Sequence, residues 1–187
     1  MTHSAPWCVD DSGLLPAAAY IPSPNFDERP DGAIIELLVV HNISLPPGQF
    51  GGPGIIDLFN NRLDPDAHPY YRQIADAKVS SHFLIRRDGE LIQFVPCSLR
   101  AWHAGQSEWR GRGRCNDFSI GVELEGADDR AFTDSQYAML AKLAAALLGE
   151  YPIKDCVGHS DIAIPTGRKT DPGPHFDWAR FRSLIGR

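Results

Sequence analysis

The run LLVV at residues 37–40, followed directly by His41 and Asn42, sets the first limit on how this chain can fold. Four consecutive apolar residues suit a strand covered on both faces, which requires a layer above and a layer below a sheet. An imidazole at the end of such a strand must find a partner or cost free energy. His41 is therefore either a hydrogen-bonded core residue or a functional group aimed by a rigid support. A second run bears on the same sheet. In FSIGVELE, residues 118–125, Phe118, Ile120, Val122 and Leu124 alternate with Ser119, Gly121, Glu123 and Glu125, the period of a strand with one apolar and one polar face.

The remaining elements are read from the same signals. Residues 34–41 form the first strand, and the Pro- and Gly-rich SLPPGQFGGPG after it is a loop. IIDLFNNRL predicts a short helix, and residues 64–78 show no clear period. In VSSHFLIRRDGELIQFV two β-rich runs flank Asp88-Gly89, which predicts a hairpin closed by a two-residue turn with both residues at positive φ. Residues 104–117 read as a Gly- and Arg-rich loop. Thr133 and Gln136 predict a capping box at the start of a helix over residues 133–149. Tyr137, Leu140, Ala141, Ala144, Leu147 and Leu148 recur on one face of it. Residues 155–174 read mostly as loop, and 177–185 as a short helix. The sum is an α/β (α+β) fold in one domain over residues 1–187: a central mixed β-sheet with flanking helices and long rim loops. Residues 1–21 form an irregular N-terminal segment.

The net charge of −6 argues against nucleic acid or an anionic membrane surface as a partner. No run approaches the 18 or so apolar residues of a membrane span. No Lys or Arg precedes Arg29, and the apolar LLPAAAYIP is broken by Pro16 and Pro22, so no secretory signal is recognised and a cytoplasmic location is expected. Cys8, Cys97, Cys115 and Cys156 form no CxxC pair. That leaves free thiols as the expectation, without a structural CxxC zinc site.

The chemistry must come from scattered residues. Among the seven His, His41 ends the buried strand and His159 follows Gly158 in VGHSDIAIP. Asp171 comes next in RKTDPGP. Two His and one carboxylate meet the needs of a catalytic zinc, which takes three N or O ligands and keeps one position open. Their separation in sequence gives no spacing argument. Glu123 and Glu125 lie on one strand face roughly 7 Å apart, and spacing alone leaves either as a general base. His82, in mid-strand, reads as a hydrogen-bonded core residue.

The segments LLVVHNISLPPGQFGGP, HPYY, VSSHFLIRRDGELIQFVP, RAWHAG, CNDFSIGVELEG, FTDSQY and GHSDIA with RKTDPGPHFDW resemble, in that order, those of the zinc N-acetylmuramoyl-L-alanine amidases. That family includes phage amidases and the peptidoglycan recognition proteins, and the likeness is nearest to its cytoplasmic anhydromuramoyl-peptide members. It runs from about residue 22 to residue 182 and implies the fold of that family. It implies one zinc per chain, held by His41, His159 and Asp171, with Glu123 as general base and Lys169 stabilising the oxyanion. Tyr70 of HPYY is implied as a further active-site group, with Tyr71 beside it. Asn42, Ala101 and Arg114 are implied in substrate binding. Lys78 stands where the family commonly has Arg, keeping the charge and losing the planar fork. Trp102 and His103 either line the pocket or pack. The zinc loop is two residues longer than the usual pattern between Ile162 and Arg168, and is expected to bulge outward without disturbing the site. The implied reaction is hydrolysis of the amide between anhydro-N-acetylmuramic acid and L-alanine in recycled muropeptides. The implied partner is that substrate alone, bound by a monomer. The alternatives are a muropeptide-binding module of the same fold that does not cut, and an amidase for intact peptidoglycan.

Overall fold

A computed structural model describes residues 6–187; His3 and the start of the N-terminal segment lie outside them. Among the described residues ten strands occur: β1 (Ala19–Tyr20), β2 (Phe26–Asp27), β3 (Leu37–Ile43), β4 (Phe83–Ile85), β5 (Leu91–Gln93), β6 (Arg100–Ala101), β7 (Glu108–Trp109), β8 (Arg112–Gly113), β9 (Ser119–Glu125) and β10 (Asp155–Gly158). Five helices accompany them: α1 (Gly54–Phe59), α2 (Tyr71–Ile74), α3 (Asp134–Glu150), α4 (His159–Ile162) and α5 (Trp178–Leu184). A 3-10 turn covers Cys115–Asp117. Among the described residues no helix is long and apolar enough to cross a membrane.

The main sheet has the order β1-β5-β4-β9-β3-β10. It is mixed: β4 and β5 pair antiparallel, and every other neighbouring pair is parallel. Parallel strands at the centre need cover on both faces, and β3 and β9 receive it. On one face Leu38, Val40, Ile120, Val122 and Leu124 pack against Tyr137, Leu140, Leu143, Ala144 and Leu147 of α3 and Phe181 of α5. On the other, Leu84 and Ile92 pack against Ile55, Leu58, Phe59 and Tyr71 of α1 and α2. Leu37 and Val39 pack there against Ala104, Phe118, Val157 and Ile162. Phe118 thus faces the layer opposite Ile120, because it leaves the 3-10 turn at φ −133, ψ 18 before the strand begins. The polar face of β9 is not solvated either, since Ser119, Glu123 and Glu125 are all buried.

Helix α3 carries the predicted capping box, with Thr133 and Gln136 exchanging both hydrogen bonds. Three local readings are corrected. The β4–β5 hairpin closes with a three-residue loop, Arg87 to Gly89, because Arg86 N pairs with Glu90 O at 2.9 Å. Only Gly89 has positive φ, at 93°, and Asp88 Oδ1 instead accepts from Glu90 N at 2.9 Å, as in a type I turn with a bulge. The two-residue turn with both φ positive occurs instead between β7 and β8, at Arg110 (51°) and Gly111 (80°), inside what reads as loop. The third is β10. Its four residues pair parallel with β3, although DCVG offers only one strongly β-prone residue.

Candidate active site

Register brings the chemistry together. His41 of β3 lies directly opposite Glu123 of β9, and Gly158 of β10 lies opposite Val40. Adjacent strands run about 4.8 Å apart, so His41, Glu123 and the first residue after β10, His159, meet at the carboxyl ends of parallel strands. Ligands characteristically bind at that edge of a parallel sheet. The chain then returns, and Asp171 O accepts from Ser160 N at 2.9 Å, which ties the Asp171 loop to α4.

Among the described residues, His41, His159 and Asp171 form the one group of three such side chains whose donor atoms all lie within 4.8 Å of one another. Asp171 Oδ2 sits 3.0 Å from His41 Nδ1 and 3.1 Å from His159 Nδ1. The far nitrogen of His159, Nε2, lies 3.1 Å from the Ala104 carbonyl oxygen. A carbonyl only accepts, so this nitrogen carries a proton, and in the neutral ring His159 Nδ1 is then a bare lone pair. In that tautomer a lone pair and a carboxylate oxygen face each other 3.1 Å apart at the floor of the site, an arrangement that a cation between them resolves. The donor set therefore fits zinc, which binds imidazole nitrogen and carboxylate oxygen. Burial pushes His41 below its ordinary value, against the opposing pull of Asp171, so the ring is neutral at pH 7, as a metal ligand must be.

Glu123 is 8% exposed, and its Oε2 is buried with no hydrogen-bond partner. Burial first, and then the charge of Asp171, raise its carboxyl well above the ordinary range, while Lys169 works against them. Glu125, two residues on, has a different fate. Its Oε1 accepts from Gly51 N at 2.7 Å and Arg86 Nη1 at 3.0 Å, and its Oε2 from Arg87 N at 3.2 Å.

A cleft of 540 Å³ opens above these groups, lined by His41, Asn42, Tyr70, Trp102, His103, Glu123, Asp128, His159, Lys169 and Asp171 among others. Tyr70 faces it, whereas Tyr71 belongs to the core. Asn42 donates through Nδ2 to Asp128 Oδ1 at 2.7 Å and to Pro172 O at 3.0 Å. Trp102 is held by its indole N–H on Asp27 Oδ1 at 3.1 Å. Ala101 is fully buried behind the wall, paired with Phe26. Lys78 is exposed beside the wall residues Ala77 and Val79. Arg114 is exposed and bonds Asp117 Oδ2 at 3.1 Å. His82 is buried, accepting from Gly121 N at 3.1 Å and facing the Leu99 carbonyl at 3.1 Å. The lengthened segment at Pro165–Gly167 is exposed. Arg168 anchors it through the Ile164 and Gln106 carbonyls at 2.8 and 2.7 Å. Sequence reasoning missed Asp128, which no motif marks. It also missed Gly121, whose signal was present as a gap in the β9 alternation. A Cβ there would lie 2.5 Å from His103 Cγ.

Residues 31–174 match the family model for N-acetylmuramoyl-L-alanine amidases. The chain is 58% identical over 179 residues to the 1,6-anhydro-N-acetylmuramyl-L-alanine amidase AmpD of Escherichia coli, covering 95% of this chain and 97% of that protein. A crystal structure of an AmpD selenomethionine derivative superimposes with a TM-score of 0.90 at 59% identity, covering 94% and 98% of the two chains. The Escherichia coli amidase AmiD, solved with anhydro-N-acetylmuramic acid-L-Ala-D-γ-Glu-L-Lys, follows at a TM-score of 0.59 and 31% identity, covering 84% of this chain and 60% of its own. The family match over most of the chain and these likenesses show that the chain belongs to the N-acetylmuramoyl-L-alanine amidase family.

Proposed function

We propose that this chain is a cytoplasmic zinc amidase that hydrolyses the amide between 1,6-anhydro-N-acetylmuramic acid and L-alanine in recycled muropeptides. The observation that carries the proposal is the convergence of two buried histidines and the partly buried Asp171, their donor atoms within 4.8 Å of one another, at the cleft that Glu123 lines with an unpartnered carboxylate oxygen. The high identity to AmpD over nearly both full lengths supports the substrate. In this reading His41, His159 and Asp171 would hold the zinc. When bound, zinc supplies a Lewis acid that acidifies water toward neutral pH and polarises the scissile carbonyl.

The chain's own residues do the rest. Glu123 Oε2 takes the proton of the attacking water and returns it to the alanine nitrogen as the amide opens. Burial, which raises its affinity for protons, suits it to both accept and return one. Lys169, on a flexible stem at the cleft mouth, donates from Nζ to the amide oxygen as charge develops there. Both hydrogens of Asn42 Nδ2 are used within the protein, so it offers the substrate an acceptor, Oδ1, and selects for an N–H or O–H there. Tyr70 and Trp102 line the cleft and offer aromatic surface to the sugar and the first peptide unit. Lys78 and Arg114 supply positive charge for stem-peptide carboxylates.

Purified protein is expected to hold one zinc per chain and to release peptide from anhydromuramoyl-tripeptide. A chelator should abolish release and added zinc restore it. Cleavage indifferent to chelator would sink the zinc assignment. Tight binding of zinc and muropeptide without cleavage would make the chain a binding module, and preference for ordinary muramoyl peptides would move the substrate to intact wall.

A further inference from the structure

Resting on that metal-site reading, we infer that His103 and Ser119 are positioning residues that set the tautomer of His41. A hydrogen-bond wire from His41 through His103 to Ser119 keeps the His41 proton on Nε2 and leaves Nδ1 bare for the metal.

The wire has two links. His41 Nε2 lies 2.9 Å from His103 Nδ1, and His103 Nε2 lies 3.0 Å from Ser119 Oγ. Neutral imidazole has one donor and one acceptor nitrogen, so fixing one ring fixes the other. Only two arrangements satisfy both links. In one, Ser119 donates to His103, His103 Nδ1–H donates to His41 Nε2, and the His41 proton sits on Nδ1 against Asp171. In the other, His41 Nε2–H donates to His103 Nδ1 and His103 Nε2–H donates to Ser119 Oγ. The second alone offers a lone pair at His41 Nδ1. The hydroxyl is what permits it, because Ser can accept as readily as donate.

The surroundings are built to hold the His103 ring in this place. Asn116 Oδ1 accepts from both His103 N and Ala104 N, at 3.2 and 2.8 Å. It thereby braces the residue that supports His41 and the residue whose carbonyl supports His159. Gly121 leaves the space the ring fills, since a Cβ would lie 2.5 Å from its Cγ. The His103 ring stands edge-on to that of His41, at 86° and 5.0 Å between centroids. Ser119, Gly121 and Glu123 alternate on one face of β9, so this face does three jobs in line: it ends the wire, admits the ring and carries the carboxylate. Both supports of the metal site end on neutral oxygens, a hydroxyl and a carbonyl. The carbonyl admits one tautomer of His159, the hydroxyl permits the tautomer of His41 that leaves Nδ1 bare, and neither adds negative charge next to Glu123.

Imidazole nitrogen shifts in the zinc-loaded protein, labelled with 15N-histidine, test the wire directly. His41 and His103 should both be protonated at Nε2; a His103 protonated at Nδ1 would overturn the inference. Zinc affinity, measured by competition with a chromogenic chelator, gives the energetic test. Ser119→Ala and His103→Phe should weaken it by about 10–100-fold, measured where urea unfolding shows each metal-free variant to be fully folded. Affinities within twofold of the parent would refute the wire while leaving the metal site standing. A parent protein that binds no zinc would overturn the metal reading itself and the wire with it.

Discussion

Glu123 and Glu125 leave the same strand on the same face, yet their neighbours give them opposite properties. Glu125 is surrounded by donors and forms a buried pair with Arg86 that fastens the loop at Gly51 and Gly52 to the sheet. Glu123 has an oxygen with no partner at all. An unsatisfied buried polar atom costs on the order of 1–3 kcal/mol, and a cost kept in that way points to a use in the loaded site. Glu123→Gln is expected to retain zinc and lose about 10²–10⁴-fold in kcat, the usual contribution of a general base. Glu125→Gln should keep kcat within a few-fold and instead lower stability by roughly 3 kcal/mol, since it strands the Arg86 charge. Zinc content, steady-state kinetics and urea unfolding on the two variants separate these outcomes. A Glu125 variant that lost the rate while Glu123→Gln kept it would reverse the assignment.

At the scale of the element, local rules were legible where the partner lay nearby in sequence. The α3 cap is such a case, and it does more than its motif required. Thr133 Oγ1 accepts from Gln136 N at 3.1 Å and also donates to the Arg87 carbonyl at 2.7 Å. One hydroxyl thus starts the helix and pins the β4–β5 loop to it. Thr133→Ala should cost between about 1 and 2 kcal/mol, the upper part of the range for an N-cap, read as a drop in urea midpoint at unchanged slope. Thr133→Ser, which keeps the hydroxyl, should recover most of it. The hairpins show where local signals mislead. Asp88-Gly89 carries the composition of a two-residue turn, but Asp88 spends its carboxylate on Glu90 N and the loop takes three residues. Arg110-Gly111 does form a two-residue turn, held by pairing partners and by Arg112 over the Phe118 ring at 3.9 Å. β10 was invisible because its strand character comes from pairing along β3 rather than from its own residues.

For the molecule as a whole, four of the six strands of the main sheet, the helices α1, α3 and α5 and the candidate ligands were legible in the sequence, the latter through resemblance more than through spacing. What it could not carry is depth. Ser119, Gly121 and Glu123 read as one side of an amphipathic strand, and only the layer beyond them turns that side into a buried row. The same burial makes the molecule's stability depend on pH. His82 is buried, and burial together with the Arg29 charge lowers it from 6.5 to about 3, only partly offset by the Leu99 carbonyl. Its protonated form is thus favoured in the unfolded chain. The contribution of neutral His82 is complete above pH 6.5 and is lost as pH falls from 6.5 toward 3. Over that window one extra proton is bound on unfolding, a slope of about 1.4 kcal/mol per pH unit. His103, also depressed by burial, acts in the same direction. Glu123 acts in the opposite one, because a raised carboxyl loses its stabilising effect as pH rises through its folded value. Differences between variants isolate His82. Urea unfolding of the metal-free protein from pH 7 to pH 4 should show stability falling with acid. His82→Asn should be less stable at pH 7 and should take up one proton fewer on unfolding between pH 6 and pH 4. Parallel curves for the two proteins would mean that His82 titrates alike folded and unfolded, and that the acid sensitivity originates elsewhere.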